Sequence, residues 1–273
     1  MQPRIARGDA VKRGQVLARS LQAVTGPGNV SQDGDGALVA ASAAPDRGAS
    51  PLAAAIDISA LGGLYAGSIR LVATEAGVGV RNAGAIGAGV GSVVVTAAGQ
   101  LENAGSIVAR EDVRLRVAGL DSPGLLAAGI DDEDRATRPA MLAVHASADV
   151  RIAGRALAGG DIDLRAKGMD LSGGHIATTG RIGLQAGGNL DNAGGAVIAG
   201  ADLTARVGQA LRNEGGTLLA QGDLVIEEAK LVVRNVGGSI GAGRNLRLTL
   251  ASLDNTDGRI ANVAKSQGDV RLA

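Results

Sequence analysis

The 273-residue chain has no cysteine, no phenylalanine and no tryptophan, a single tyrosine (Tyr65) and two histidines (His145 and His175). Without cysteine there are no disulfides and no thiolate metal sites, and only the two imidazoles remain as nitrogen ligands or bases. With Tyr65 as the one aromatic ring, a stacking platform for nucleic-acid bases or for sugars is disfavoured. Charge of one sign is also missing. Lys+Arg 27 balances Asp+Glu 27, which disfavours a phosphate-backbone partner. The longest apolar runs, such as residues 52–58, are too short to span a bilayer, and residues 1–9 carry no apolar core of the signal-peptide kind.

What is abundant is glycine, 44 residues, and a recurring phrase. Asn82-Ala83-Gly84, Asn103-Ala104-Gly105, Asn192-Ala193-Gly194, Asn213-Glu214-Gly215, Asn235-Val236-Gly237 and Asn255-Thr256-Asp257-Gly258 return at steps of 20 to 22 residues, with four such steps between Asn103 and Asn192. A period in this range marks a solenoid whose repeats stack on one another. Three aliphatic series keep the same beat: Ile182, Leu203, Leu224, Leu246; Leu190, Leu211, Val233, Leu253; and Val197, Leu218, Ile240, Ile260. Within a segment the alternation has period two, with Ile182, Leu184 and Ala186 on one side and Arg181, Gly183 and Gln185 on the other, which is a strand pattern. Asp161, Asp202, Asp223, Asn245 and Asp269 each precede a strand, and glycine pairs such as Gly187-Gly188, Gly194-Gly195 and Gly215-Gly216 supply turns. Three strands and three corners per coil, stacked in parallel register about 4.8 Å apart, predict an all-β right-handed parallel β-helix of about ten coils with a loop-rich N-terminal part.

Three regions follow. Residues 1–60 are irregular, 61–118 hold the first regular coils, and 119–148 interrupt the repeat with Gly119-Leu120-Asp121-Ser122-Pro123-Gly124 and Asp131-Asp132-Glu133-Asp134-Arg135 before it resumes near Val150.

The segment from Ala60-Leu61-Gly62-Gly63-Leu64-Tyr65 through Val80-Arg81-Asn82-Ala83-Gly84 closely resembles the end of the secretion domain in filamentous haemagglutinin and related two-partner secretion exoproteins. Leu21-Gln22-Ala23-Val24-Thr25-Gly26 resembles an earlier strand of that domain, and Gly124-Leu125-Leu126-Ala127-Ala128-Gly129-Ile130-Asp131 a phrase between haemagglutinin repeats. The resemblance implies that residues 1–90 are the C-terminal remnant of a secretion domain and 91–273 are haemagglutinin-type repeats with an irregular insertion at 119–148. It further implies a Gram-negative surface protein, secreted through an outer-membrane two-partner secretion transporter and folding outside the cell. The chain looks like a fragment, because the family's secretion domain begins earlier, with a signal peptide and Asn-Pro-rich motifs.

The expected function is that of a non-enzymatic adhesin shaft. The alternative is a stalk segment of a contact-dependent growth-inhibition toxin lacking its C-terminal toxin domain. A third class, a β-helical polysaccharide lyase or hydrolase, requires clustered carboxylates or basic residues on one face, and nothing recurs in that way. No catalytic, cofactor-binding or metal residue is assigned and no cofactor is expected. The tripeptide Arg7-Gly8-Asp9 reads as a chance occurrence, and Asp33-Gly34-Asp35-Gly36 and Asp131 to Asp134 as solvated loops. His145 and His175 read as exposed strand or turn residues, and Gly87-Ala88-Gly89-Val90-Gly91 as a coil corner with no following helix to hold phosphate. The recurring asparagines read as stacked amides bonded to one another and to corner backbone. Expected partners are the transporter, an unidentified host or bacterial surface receptor, and, through unpaired strand edges at the rod ends, other copies of the chain.

Overall fold

A computed structural model describes residues 4–6, 10–12, 15–26, 29–32, 38–42, 54–74, 77–262 and 269–272. The fold is an all-β parallel solenoid of about 10 turns and about 21 residues per turn, and no helix occurs among the described residues. Each coil passes through three faces in the same order. Face A carries strands such as Val93–Ala97 and Ile182–Ala186, face B the strands Gln100–Asn103 and Leu190–Asp191, and face C the strands Ser106–Ala109 and Ala196–Ala199.

The three aliphatic series stack as their spacing requires. On face A, Ile182 pairs with Leu203, Leu203 with Leu224, and Leu224 with Leu246. On face B, Leu190, Leu211, Val233 and Leu253 fall in one column, and on face C so do Val197, Leu218, Ile240 and Ile260. Inward residues are buried and most outward ones are not, so one continuous aliphatic core runs along the axis from Leu21 to Leu250. Its members are Val, Ile, Leu, Ala and one Met, Met169, because three short strands enclose too narrow a space for rings. One member of the polar series departs from expectation. Asp269 lies inside the strand Asp269–Leu272, opposite Arg247, and is therefore two residues further along than the row ending in Asn245.

Two elements break the regular outline. The strand Gly63–Ala73 runs from face C to face A with no corner: its first part pairs with Ala85–Ala88 and its second with Val93–Ala97. Gln15–Thr25 does the same one coil earlier. The second break lies between Leu125–Ala128 on face C and Leu142–Ala146 on face A. The strands at 119–121 and 125–128 keep the common register, and the extra chain is an excursion over 129–141 closed by an antiparallel bridge between Ile130 and Ala136.

The corner between faces B and C explains the glycine pairs. In Asn192-Ala193-Gly194-Gly195, the Gly195 N–H donates to the Asn192 carbonyl at 3.1 Å and Gly194 has φ +61, as the third residue of a type II turn requires. Gly215 and Gly237 repeat this at φ +61 and +62, and Asp257 occupies the same place at φ +54. The second glycine of each pair answers a different demand. A Cβ on Gly216 would run into the Asn192 carbonyl oxygen of the preceding coil, and one on Gly238 into that of Asn213. One glycine is needed for backbone conformation, the next for the closeness of the coils.

Candidate functional surface

The asparagines form a buried ladder. Asn192 Nδ2 donates to Asn213 Oδ1 at 2.7 Å, Asn213 Nδ2 to Asn235 Oδ1 at 2.6 Å, and Asn235 Nδ2 to Asn255 Oδ1 at 2.6 Å. The same amide nitrogens reach the carbonyl oxygens of Gly195, Gly216 and Gly238 in the adjoining corner. A shorter ladder runs from Asn82 to Asn103 at 2.8 Å and ends on the Ser122 hydroxyl at 3.0 Å. Between the two, the register places Ile152 and Leu171 in the same column, both fully buried. Since every asparagine accepts from the coil before it, the first of each block has no donor: Asn82 Oδ1 faces the coil of Ile58, Asn192 Oδ1 that of Leu171, and both oxygens are buried without a partner.

A second ladder lies at the corner between faces C and A. The Asp161 carboxylate accepts from the Arg181 N–H at 2.8 Å, Asp202 from the Asp223 N–H at 2.9 Å, and Asp223 from the Asn245 N–H at 3.1 Å. The Asp223 N–H, aided by the Arg244 guanidinium at 2.8 Å, holds the Asp202 carboxyl below the usual carboxylate range. Face B carries ion pairs between coils, Arg81 with Glu102 at 2.9 Å and Arg151 with both Asp121 at 3.2 Å and Asp170 at 3.3 Å. All are about half-exposed, so each adds little stability. Glu102 raises the Arg81 guanidinium further above its ordinary value.

Among the residues singled out by sequence, Arg7-Gly8-Asp9 and Asp33-Gly34-Asp35-Gly36 lie outside the described residues. Asp131 is the brace of the excursion: its Oδ1 accepts from the N–H groups of Glu133 and Arg135, and its Oδ2 from Arg135 Nε. The Arg135 N–H accordingly lowers the Asp131 carboxyl. His145 sits on face A with Nε2 3.2 Å from Asp163, while His175 is exposed on face C beside Arg155 and Ala196. The structure does not bring the two imidazoles together. Gly87 and Ala88 end a strand, and Gly89 to Gly91 turn the corner, with the Gly91 N–H donating to the Gly67 carbonyl at 2.6 Å. Among the described residues, no three His, Asp or Glu side chains gather closely enough to hold a metal ion.

The haemagglutinin-repeat family model matches residues 9–105, 88–129, 127–194, 173–231 and 228–273, which is nearly the whole chain. The chain belongs to the haemagglutinin-repeat family. Among curated proteins it is similar to "Toxin CdiA" of Yersinia pestis, 48% identical over 75 residues, covering 27% of this chain and 2% of that protein. It is also similar to "16S rRNA endonuclease CdiA" of Enterobacter cloacae subsp. cloacae, 38% identical over 108 residues (37% of this chain, 3% of that protein). A third relative is "tRNA nuclease CdiA-2" of Burkholderia pseudomallei, 28% identical over 172 residues (48% of this chain, 6% of that protein). The chain thus spans a few per cent of the length of these relatives. No solved structure matches it.

The haemagglutinin-repeat coil is a filamentous haemagglutinin-like shaft, so the surface it presents to solvent consists of outward rows, one residue per coil. Three open grooves follow those rows. One of about 730 Å3 on face B is lined by Asp121, Arg151, Asp170, Asp191 and Arg212; one of about 610 Å3 crosses the end of face A near Ala97, Val117 and His145; and one of about 570 Å3 on face C surrounds Tyr65. Sequence reading found the inward series of face C, Val197, Leu218, Ile240 and Ile260, but not its apolar outward row. In Ala196-Val197-Ile198-Ala199 the outward residues are as apolar as the inward ones, so alternation is invisible there.

Proposed function

We propose that this shaft is a segment of a large secreted, surface-associated adhesin. In this reading residues 1–90 are the C-terminal part of its secretion domain, and 91–273 are repeats whose irregular stretch 119–148 holds an inserted excursion at 129–141. Export runs through an outer-membrane two-partner secretion transporter, and the solenoid is a non-enzymatic spacer that presents its rows to a host or bacterial surface. The observation that carries the reading is the family match along nearly the whole chain together with an uninterrupted stack of coils. A second reading has a specific observation behind it, since the curated relatives are named as toxins and nucleases. There the same coils are the stalk of a contact-dependent growth-inhibition protein whose toxin lies elsewhere.

Two assays separate these. Beads coated with the purified chain are expected to adhere to epithelial or bacterial cells above beads coated with serum albumin. Equal adhesion of both refutes the adhesin reading. Growth inhibition of neighbouring cells by a strain producing the uninterrupted reading frame that contains this segment establishes the stalk reading.

A further inference from the structure

Face B carries an unbroken charged row. From Asp57 to Asp254 the central outward residue is ionisable in every one of ten successive coils, although charged residues make up only 20% of the chain. Pairs within the chain account for part of this row: Arg81 meets Glu102, and Arg151 meets both Asp121 and Asp170. They do not account for the order of the signs. Stability within one chain favours alternation, because like charges on directly neighbouring strands repel. Yet Glu102 stands next to Asp121, Asp170 next to Asp191, and Arg212 next to Arg234. The face thus keeps an acidic block near one end and a basic block near the other, an order that the single chain does not reward. The side chains are open to a partner, with Asp191 31% and Arg212 57% exposed.

The order has a centre. Counted from Asp170 in either direction, coils at equal distance carry opposite signs: Arg151 and Asp191 one coil away, Asp121 and Arg212 two, Glu102 and Arg234 three, Arg81 and Asp254 four. We propose that face B is the contact surface for a second, antiparallel copy of this chain, related by a two-fold axis that runs along the strand direction over Asp170. Such an axis lays row over row in reverse order, so each of those eight residues faces its opposite, and the acidic block Glu102 and Asp121 lies on the basic block Arg234 and Arg212 of the second copy. Asp170 alone meets itself, and in each copy Arg151 already holds it at 3.3 Å. The sign order selects this occupant. A parallel copy in register sets every charge on its like, and a polymer of one sign is repelled by about half of the row. Nine coils about 4.8 Å apart and a face about 13 Å wide offer about 560 Å2 per partner. The total of about 1,100 Å2 lies in the range of weak, specific complexes and above chance contacts of roughly 800 Å2 or less. Charge therefore sets the register of the pair more than it sets its strength. The contact is side by side, and it stands whichever reading of the shaft holds.

Two double variants test the pairing. Glu102→Arg with Asp121→Arg makes both blocks basic, and Arg212→Glu with Arg234→Glu makes both acidic. In sedimentation velocity at low salt, each variant alone is expected to be less associated than the native chain, and their equimolar mixture to recover the dimer. The mixed dimer is expected to dissociate in 1 M salt, where charges are screened within about 3 Å. Orientation is read by disulfides, since the native chain has no cysteine. Under copper-phenanthroline oxidation Asp170→Cys, which faces itself, is expected to give several-fold more dimer than Arg81→Cys, whose counterpart lies eight coil steps, or about 38 Å, away in the antiparallel pair. Should a double variant lose the β-sheet circular dichroism, the two cysteine variants decide. A mixture of folded variants no more associated than its components, a mixed dimer that persists in 1 M salt, or equal disulfide yields from Asp170→Cys and Arg81→Cys overturns the proposal.

Discussion

The position of the two unpartnered amide oxygens means that one substitution, made one coil apart, should have two different costs. Asn192 heads its ladder and Asn213 is an interior rung. Changing either to leucine removes comparable bonds to the corner and to the next coil: Nδ2 to Gly195 O at 3.3 Å and Thr217 O at 3.2 Å in one case, to Gly216 O at 3.1 Å and Ser239 O at 3.2 Å in the other. Leu171 occupies this column fully buried, so the side chain fits it. The difference lies in the oxygens. Asn192→Leu strands Asn213 Oδ1 but eliminates the already unpartnered Asn192 Oδ1, so the number of stranded oxygens is unchanged. Asn213→Leu strands Asn235 Oδ1 and leaves Asn192 Oδ1 as it was, which adds one. A buried acceptor left unsatisfied costs about 1–3 kcal/mol. Asn213→Leu should therefore be less stable than Asn192→Leu by about that amount, or about 2–4 °C in Tm for each kcal/mol in a chain of this size. Urea titration and thermal melts followed by circular dichroism at the β-sheet minimum read both quantities. Equal loss in the two variants, or a greater loss in Asn192→Leu, would show that the ladder's polarity has no energetic meaning.

Gly216→Ala should destabilise by about 1–3 kcal/mol or more through collision with the Asn192 carbonyl. Gly215→Ala, where nothing lies within 4 Å, should cost only the left-handed backbone penalty of about 1–2 kcal/mol, and differential scanning calorimetry ranks the two. Acid should weaken the shaft through Asp202, whose carboxyl is held below its ordinary value of 3.8: its contribution is complete above that pH and is lost as pH falls through the depressed folded value. Asp131 and Asp254 act with the same sign. Tm should be flat from pH 7 to about 5 and fall below about 4, and Asp202→Asn should show a shallower fall.

The fold was legible where a coil position makes the same demand each time round. Ile182, Leu203, Leu224 and Leu246 recur because each fills the same slot in the core, and Asn192, Asn213 and Asn235 because each closes the same corner. The phrase disappears between Asn103 and Asn192 although coils continue, because Ser122, Ile152 and Leu171 fill the slot by other means, a hydroxyl in one coil and plain burial in two. The extent of the excursion was hidden for a related reason. Gly119-Leu120-Asp121 and Leu125–Ala128 look irregular in sequence but stay in register, and only 129–141 leaves the stack. The apolar outer row of face C was invisible because an alternation test needs polar residues outside to reveal apolar ones inside.

That last point bears on where function lies in such a shaft. The inward rows are constrained by burial, and the corners by amide ladders and by glycines facing carbonyl oxygens of the neighbouring coil, so neither set is free to serve a partner. Only the outward residues escape these demands, one or two per strand, and whatever they share from coil to coil is repeated every 4.8 Å or so along the rod. On faces A and B the outward rows change sign within a few coils, so a long charged ligand would meet attraction and repulsion in succession. The central outward row of face C, which holds Val108, Ala127, Leu157, Ile198 and Leu219, carries no charge, and this is also the face over which the chain has laid its own excursion. A surface built by repetition binds in proportion to the length over which its character persists, so the outward rows, more than any single residue, are the unit on which recognition by this shaft should be tested.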